Sequence, residues 1–268
     1  MKADIYNLEG KSAKKLDLPI QFNEPVRLDL IKRAVISLQL SRRTPYGAYP
    51  EAGKRQSAKL SRRRRKYKGS YGRGISRSPR KVLTKRGTQF YYVGAVAPNT
   101  VGGRRAHPPK AEKNWYKKIN NKERRKAIRS ALAATADLDL VKTRGHKIDR
   151  LTLIVDSKIE NISKTNEIKK ILLSLGLEKE LNRIEAKKIR AGKGKLRGRK
   201  YKKKKGPLIV VSKPCNLIKA AGNLQGIDIC EIKNINTELL APGTIPGRFT
   251  IFSEEAIKEL EEKKLFLK

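Results

Sequence analysis

The sequence predicts a mostly parallel, three-layer α/β fold that carries a long, basic, largely irregular loop between two helices. Strand-like and helix-like patterns alternate from residue 151 to the end of the chain, as is typical of parallel α/β proteins. Residues 208–211 read Leu-Ile-Val-Val, the composition of a strand that is buried on both faces. Two amphipathic helical patterns flank residues 41–113, in which apolar residues are scarce.

The part of the chain before this loop is predicted to form a hairpin and a helix. Residues 3–18 hold two short strand-like runs around a Glu-Gly turn signal. The helix is predicted to begin near Asn23, a capping residue, with Pro25 in its first turn, and to end near Leu40. Its apolar residues recur at helical spacing: Leu28, Ile31, Val35 and Leu38.

The part after the loop is predicted to begin with a helix. Asn120 and Glu123 form a capping-box pattern at its start, and Asp137 marks its end. Strands are then predicted at residues 151–156, 207–212, 227–232 and 249–252. The accompanying helices are an apolar-faced one closed by Gly176, a basic one after it, a short one at 214–221 and one capped by Ser253. We therefore predict a globular α/β domain from residues 1–40 and 114–268.

Residues 41–113, which we call the basic insertion, have a composition that cannot form a core. They contain 21 Lys and Arg against two acids, and only seven Leu, Ile or Val. Seven aromatic residues are interleaved with the charge: Tyr46, Tyr49, Tyr67, Tyr71, Phe90, Tyr91 and Tyr92. Such a segment is expected to be disordered alone and to become ordered on a polyanion, whose phosphates offset the charge and whose unpaired bases stack on the rings.

The overall charge also indicates nucleic acid as the partner. The formal net charge is +40 and the isoelectric point is near 10.5. A second basic cluster, residues 187–205, contributes 12 cations and no acid. There is no apolar run of about 18 residues and no signal-peptide pattern at Met1, so we expect a cytosolic protein that is neither secreted nor inserted in a membrane.

Patterns for catalysis or cofactor binding are weak. Two Gly-x-Gly sequences, at Gly72 and Gly192, have Arg where a dinucleotide motif requires the third glycine. The histidines, His107 and His146, have no Cys or acid at ligand or triad spacing apart from Asp149 near His146. Both cysteines, Cys215 and Cys230, lie in apolar surroundings and are interpreted as core thiols. We therefore expect no enzymatic activity, no metal and no cofactor.

The RNA-binding candidates are the basic residues of the two clusters. Arginine offers a planar fork to phosphate oxygens, and nearby glycines let the backbone approach the phosphate chain. The candidates are Arg42, Arg43, Lys54, Arg55, Arg62, Arg63, Arg64, Arg65, Lys66, Arg77, Arg80, Lys81, Arg104, Arg105, His107, Lys193, Lys195, Arg197, Arg199 and Lys200.

Several separated motifs resemble the family of the universal fourth protein of the large ribosomal subunit, in its archaeal form. Residues 69–79 read Gly-Ser-Tyr-Gly-Arg-Gly-Ile-Ser-Arg-Ser-Pro, and residues 103–110 read Gly-Arg-Arg-Ala-His-Pro-Pro-Lys. Residues 129–137 read Arg-Ser-Ala-Leu-Ala-Ala-Thr-Ala-Asp. Residues 191–201 and 236–248, the latter with Leu-Leu-Ala-Pro-Gly, are similar to further parts of the family.

This resemblance implies a Rossmann-like domain on the large subunit and an insertion that threads between helices of 23S-type rRNA. It also implies a part in early subunit assembly. The tip would line the constriction of the nascent-peptide exit tunnel, beside the family of the twenty-second large-subunit protein. Bacterial members have Gly-Thr-Gly-Arg-Ala there, which leaves the register of the tip open. The tunnel-lining candidates are Ser70, Tyr71, Gly72, Arg73 and Gly74.

Two other functions remain open from the residues alone. A general nucleic-acid-binding or compacting protein would also depend on phosphate neutralisation. An RNA-modifying enzyme with a basic recognition arm would in addition need a cofactor pocket.

Overall fold

The computed structural model describes residues 2–66, 69–87, 89–151 and 153–267. The chain divides into two units. We call Met1–Arg42 with Tyr116–Lys268 the sheet unit, and Arg43–Trp115 the insertion unit. The expected function of residues 41–113 as a separate RNA-binding domain stays a prediction.

The sheet unit contains both strands and helices, and the described residues of the insertion unit contain a hairpin. The strands are β1 Lys2–Tyr6, β2 Ser12–Asp17, β3 Arg80–Arg86, β4 Gln89–Gly94, β5 Ile154–Val155, β6 Lys188–Ile189, β7 Tyr201–Lys202, β8 Leu208–Val211, β9 Asp228–Glu231 and β10 Thr250–Ser253. The α-helices are α1 Leu28–Ser41, α2 Asn121–Ala133, α3 Leu138–Thr143, α4 Thr165–Ser174, α5 Glu178–Glu185, α6 Asn216–Ala221, α7 Thr237–Leu240 and α8 Glu254–Glu262.

Six strands form the main sheet, in the order β2-β1-β5-β10-β8-β9. All neighbouring pairs from β1 to β9 are parallel, and β2 pairs antiparallel with β1 at one edge. The predicted amino-terminal hairpin is therefore confirmed, and so is the largely parallel α/β class.

Helices cover both faces of this sheet because the central strands are apolar on both sides. In β8, Leu208 and Val210 belong to one core cluster, while Ile209 and Val211 belong to the other. Helices α1, α2 and α8 contribute to the first cluster, and α4 and α6 contribute to the second. Alternate side chains of a strand point to opposite faces, so an entirely apolar strand requires this double cover.

The start of α1 differs from the prediction. Residues Ile20–Asn23 form a 3-10 turn, and the helix begins at Leu28 instead of near Asn23. The Ser130 hydroxyl accepts a hydrogen bond from the Arg27 N–H at 2.6 Å and donates one to the Pro25 carbonyl at 2.9 Å. This contact from α2 holds the preceding residues extended and delays the helix.

The second helix begins where predicted but ends earlier. Asn120 is its capping residue, yet in the described structure its side chain accepts no capping hydrogen bond, and Glu123 pairs with Arg33 at 3.3 Å. The predicted end residue, Asp137, instead caps α3, where its carboxylate accepts from the N–H groups of Asp139 and Leu140. The sequence interpretation missed this short helix.

The carboxy-terminal strands and helices mostly agree with the prediction, with two corrections. Strand β5 covers only Ile154–Val155 of the predicted 151–156, and Thr152 lies outside the described residues. The helix after Gly176 is α5, which has three acids and two bases, so the prediction of a basic helix was wrong. The basic residues of 187–205 form a small hairpin of β6 and β7, because glycines favour turns over helix in that segment.

The insertion unit is less irregular than predicted. Strands β3 and β4 pair antiparallel, with a register shift between Val82 and Thr84. Aromatic and β-branched residues in β4 favour a strand, which the charge count had obscured. Tyr67 lies outside the described residues.

A buried cluster of three titratable side chains connects α5 to the preceding chain. His146 Nδ1 lies 2.7 Å from Glu180 Oε1, and Arg183 contacts both carboxylate oxygens. Burial raises the pKa of Glu180, but hydrogen bonds from Arg183, His146 and the Lys147 N–H outweigh it and lower this pKa to about 2. Burial lowers the pKa of His146, so the imidazole is neutral and donates from Nδ1.

We predict that Phe252→Ala lowers the free energy of unfolding by about 3–5 kcal/mol, because it removes a fully buried ring and leaves a cavity. The Phe252 ring meets Phe22 edge to face at 5.7 Å. Urea denaturation of the full chain measures the loss. Leu196→Ala is the control, since Leu196 is 88% exposed and its truncation should change stability by less than about 0.5 kcal/mol.

We predict that Glu180→Gln destabilises the chain by about 3 kcal/mol at pH 7, because the buried Arg183 contact loses its counter-charge and an NH2 donor replaces one of the two acceptor oxygens. The pKa values of Glu180 and His146 are lower in the folded chain, so the unfolded chain binds more protons. The free energy of unfolding therefore decreases as the pH falls below about 6.5. The contribution of Glu180 to the free energy of unfolding is lost as the pH falls from 4.5 to about 2. Urea denaturation at several pH values in this range should show that the difference in free energy of unfolding between wild type and Glu180→Gln becomes smaller as the pH falls.

Asp149→Asn is the matched control, because Asp149 pairs with Lys179 on the surface at 2.9 Å. It should cause a much smaller loss than Glu180→Gln. Equal stability of Glu180→Gln and wild type at pH 7 would show that the buried cluster does not stabilise the fold.

Candidate nucleic-acid interface

Most cations of the basic insertion have no carboxylate partner within it, because residues 41–113 contain 21 Lys and Arg and two acids. One acid, Glu51, lies 3.6 Å from Arg55. The predicted run from Arg62 to Lys66 is exposed along its whole length. Repulsion among these charges is relieved by a polyanion, which is the electrostatic requirement of a nucleic-acid surface.

An aromatic cluster joins the two ends of the insertion unit. The Arg43 guanidinium lies 3.8 Å from the centre of the Trp115 ring, and Tyr46 stacks on Trp115 at 5.7 Å. The Ala48 N–H donates to the Pro109 carbonyl at 2.9 Å, which extends the contact between the outgoing and returning chain. Arg43 was predicted to bind RNA, and the structure places its planar face on a ring.

Sequence reasoning missed Trp115, which is the single tryptophan of the chain. It lies two residues beyond the predicted end of the insertion. The sequence feature that could have indicated Trp115 is an aromatic residue among lysines, next to the predicted end of the basic insertion. A cation–π contact of this kind leaves the guanidinium edge able to donate to phosphate while the face is occupied.

A second arginine–tyrosine contact follows. The Arg55 guanidinium lies 4.1 Å from the centre of the Tyr49 ring and also donates to its hydroxyl. Gly53 has a left-handed φ of 75°, and a Cβ there would come within 2.7 Å of the Arg104 Cα. Only glycine permits this approach of two chain segments. The backbone next to the candidate Lys54 therefore lies against the backbone of the candidate Arg104.

Arg105 and His107 are exposed and line an open concavity together with Tyr46 and Lys113. Arg80 is more constrained, because its guanidinium donates to the Ser78 carbonyl at 3.1 Å and to the Ser76 hydroxyl at 2.8 Å. The structure thus uses Arg80 partly to hold its own chain.

The tunnel-lining candidates have different environments in the insertion unit. Ser70 is buried, and its hydroxyl donates to the Ser61 carbonyl at 3.3 Å. The guanidinium groups of Arg64 and Arg77 both lie near the Tyr71 ring, at 5.2 and 5.3 Å from its centre. Arg73 is exposed between two glycines with left-handed φ, Gly72 and Gly74. Exposed aromatic, arginine and glycine residues therefore occur together at this turn.

The hairpin formed by residues 187–205 presents the second basic cluster on the sheet unit. Arg190 donates from its backbone N–H to the Lys200 carbonyl at 2.8 Å and from Nε to the Arg199 carbonyl at 3.1 Å. These bonds hold the turn closed while the cations point to solvent. The five exposed candidates in it are Lys193, Lys195, Arg197, Arg199 and Lys200.

The base of this hairpin is anchored in the core of the sheet unit. Arg183 donates to the Lys205 carbonyl at 2.7 Å, and Lys205 Nζ lies 2.9 Å from Asp228. Asp228 also pairs with the buried Arg248 at 2.7 Å. Burial raises the pKa of Asp228, but Lys205 and Arg248 outweigh it and lower this pKa, so the anchor is ionised at neutral pH.

Some arginines of this strongly basic chain are structural. Arg248 is completely buried and donates to the carbonyls of Gly206, Leu239 and Pro207. Burial, with Arg248 and Arg183 nearby, lowers the pKa of Arg144 to about 10. The candidate Arg42 ends α1 and pairs with Glu238 at 2.7 Å, so an internal ion pair occupies a residue predicted to bind RNA.

The carboxyl edge of the sheet, where parallel α/β proteins commonly bind ligands, is occupied by a side chain. The buried Glu160 carboxylate accepts hydrogen bonds from the N–H and hydroxyl of Ser212 and from the Ser253 hydroxyl. This carboxylate takes the place where a parallel sheet would hold an anionic ligand. His146, the other residue considered for chemistry, is enclosed by Glu180 and Arg183.

Both thiols are free. Burial raises the pKa of Cys230 to about 12, which makes this core thiol unreactive at neutral pH, while Cys215 is half-buried. Among the described residues, no group of three His, Cys, Asp or Glu side chains is arranged to hold a metal ion. The helices within the same residues are all too short or too polar to cross a bilayer.

Comparison with known proteins identifies the family. The profile described as "Ribosomal protein L4/L1 family" matches residues 16–263. The chain is 55% identical to "Large ribosomal subunit protein uL4" of Nanoarchaeum equitans over 267 residues, which cover 99% of this chain and 100% of that protein. It is 44% identical to the protein of the same name from Methanocaldococcus jannaschii, over 98% of this chain and 99% of that one.

A third relative, "Large ribosomal subunit protein uL4" of Archaeoglobus fulgidus, is 42% identical over 98% of this chain and 99% of its own length. The alignments with these relatives therefore include the sheet unit and both basic clusters. The chain belongs to the ribosomal protein L4/L1 family.

Proposed function

We propose that this protein is a structural constituent of the large ribosomal subunit that binds large-subunit rRNA. The observation that carries the proposal is the exposed charge of the basic insertion, 21 cations against two acids, in a chain whose relatives are named as large-subunit proteins. Proteins of the L4/L1 family are structural and not enzymatic. The protein would accordingly act in the cytoplasm, on the ribosome.

Two surfaces would divide the contacts with rRNA. The insertion unit offers a run of exposed arginines at 62–65 and rings that already carry guanidinium groups, such as Tyr49 and Tyr71. The hairpin at 187–205 offers a compact set of cations on a fixed base. Phosphate contacts from both would position the protein, and stacking on exposed rings would favour unpaired nucleotides.

The turn around Tyr71 is the part that we propose to line the nascent-peptide exit tunnel. Arg73 and its flanking glycines are exposed, and Gly72 and Gly74 have left-handed φ values. Neighbours there would be the growing peptide and the family of the twenty-second large-subunit protein. We also propose that the insertion acts early in subunit assembly, because rRNA would supply the counter-charge that offsets the repulsion among its 21 cations.

General nucleic-acid binding is the alternative, and competition separates the two. We predict that a large-subunit rRNA fragment stays bound to the full chain in about 100-fold excess of duplex DNA, because specific contacts add to the sequence-independent phosphate term. A filter-binding or mobility-shift assay measures the retained fraction. Loss of rRNA at equal concentrations of DNA would indicate a general binder.

Replacing Arg62, Arg63, Arg64 and Arg65 together with Ala should weaken rRNA binding and leave the melting of the sheet unit unchanged. If all four contact phosphates, the slope of log affinity against log salt concentration should fall by about 3. Titrations at several salt concentrations give the slope, and circular dichroism gives the melting temperature. A large fall in melting temperature without RNA would show that the run is structural.

The matched control removes the same charge from the edge hairpin of the sheet unit, at Lys2, Lys11, Lys14 and Lys15, which are all exposed. We expect a clearly smaller change in the salt slope from this variant. Equal effects of both quadruple variants would mean that net charge alone, and not the run at 62–65, determines affinity.

A further inference from the structure

The insertion unit contains a partly open cavity of about 490 Å³ to which the proposed function assigns no role. Three chain segments form its walls, and hydrogen bonds connect them. Lys59 forms a β-bridge with Arg80 at the start of β3, and the Ser70 hydroxyl donates to the Ser61 carbonyl. The volume lies within the range of about 300–1,000 Å³ typical of small-molecule sites.

One part of the lining is cationic and rich in hydroxyl groups. It includes Lys59, Lys66 and Arg80, together with serines at positions 57, 61, 70 and 78. The two acids of the basic insertion, Glu51 and Glu112, are not among the lining residues. This combination of cations and hydroxyl donors is suited to a phosphate and a ribose.

The other part of the lining is largely apolar. It consists of Leu60, Ile75, Val82 and the Tyr92 ring, and Tyr92 is stacked with Phe90 at 5.8 Å. The Tyr92 hydroxyl is buried, and within the described part of the chain it has no hydrogen-bond partner. A buried hydroxyl without a partner is costly, so a ligand that supplied a polar edge there would be stabilised.

We propose that this cavity holds one unstacked ribonucleotide of the RNA. The phosphate would lie against Lys59 and Lys66, and the base would lie against Val82 and Tyr92, with its polar edge at the Tyr92 hydroxyl. The proposal deepens the proposed function and rests on it for the source of the nucleotide. A plain phosphate would use only the cationic wall, whereas a nucleotide uses both walls.

The test is titration of the full, isotope-labelled chain with AMP, GMP, CMP and UMP, and with ribose 5-phosphate as the probe without a base. We expect at least one nucleotide to bind saturably, with ribose 5-phosphate at least about tenfold weaker. No saturation by any nucleotide up to about 10 mM would overturn the proposal. Equal affinity for ribose 5-phosphate would also overturn it and would indicate a simple anion site.

Val82→Trp fills the cavity from a strand position that is 39% exposed and tolerates a large side chain. It should weaken nucleotide binding at least about tenfold. Val93→Trp is the matched control, because Val93 lies on the paired strand, is 46% exposed and does not line the cavity. It should change the affinity less than about twofold. Equal effects of the two substitutions would overturn the proposal.

Tyr92→Phe removes only the hydroxyl and preserves the ring, so it keeps the test valid if the Trp variant folds poorly. We expect about fivefold weaker nucleotide binding, the range of one hydrogen bond. Unchanged binding in this variant would refute the role of the hydroxyl and with it the proposed orientation of the base.

The competition assay with excess duplex DNA, done on the same preparation, distinguishes failure of the ribosomal function from failure of the cavity proposal. If wild type retains rRNA but binds no nucleotide, the cavity proposal alone fails. If rRNA is lost while a nucleotide still binds in a Val82-dependent way, the ribosomal function fails and the cavity remains a nucleotide site.

Discussion

Repulsion among like charges is the constraint on which this structure depends. The chain has a formal net charge of +40, and the basic insertion and the 187–205 cluster together supply 33 of its 65 cations in about a third of its length. A core cannot form among such residues, so folding must be achieved elsewhere. The parallel sheet achieves it, since β8 and its neighbours are buried on both faces and need no contribution from the charged segments.

The chain then uses arginine in two opposite ways. In the sheet unit, Arg248 and Arg144 donate to backbone carbonyls, and Arg183 joins Glu180 to the base of the 187–205 hairpin. In the insertion unit, Arg43 and Arg55 lie on aromatic rings. A guanidinium group suits both tasks because it is planar and carries five donors, whereas the ammonium group of lysine is more strongly hydrated. Anchoring within the sheet unit and the proposed contact with RNA therefore use the same residue type.

Much of the fold was predictable because its signals are local. The buried strand at 208–211, the Gly176 helix end and the Ser253 cap each depend on residues within one or two turns of each other, and all three are confirmed. One error occurred where a distant residue decides, because Ser130 of α2 sets the start of α1. The hairpin of β3 and β4 was missed for another reason, since its signals are local but were obscured by the surrounding charge. The RNA-binding candidates at single positions stay predictions, although Arg42 is already engaged by Glu238.

Composition, periodicity and separated motifs were enough to establish the α/β class, the basic insertion and the family, because charge and hydrophobic period are properties of neighbouring residues. Folding was required to bring Glu180 to His146, Trp115 to Arg43, and Lys59 to Arg80. These pairs are separated by 34, 72 and 21 positions, and no local pattern specifies which distant residue will satisfy a buried or stacked group. The physical reason is that burial and hydrogen bonding depend on three-dimensional neighbours, whereas charge can be counted along the chain.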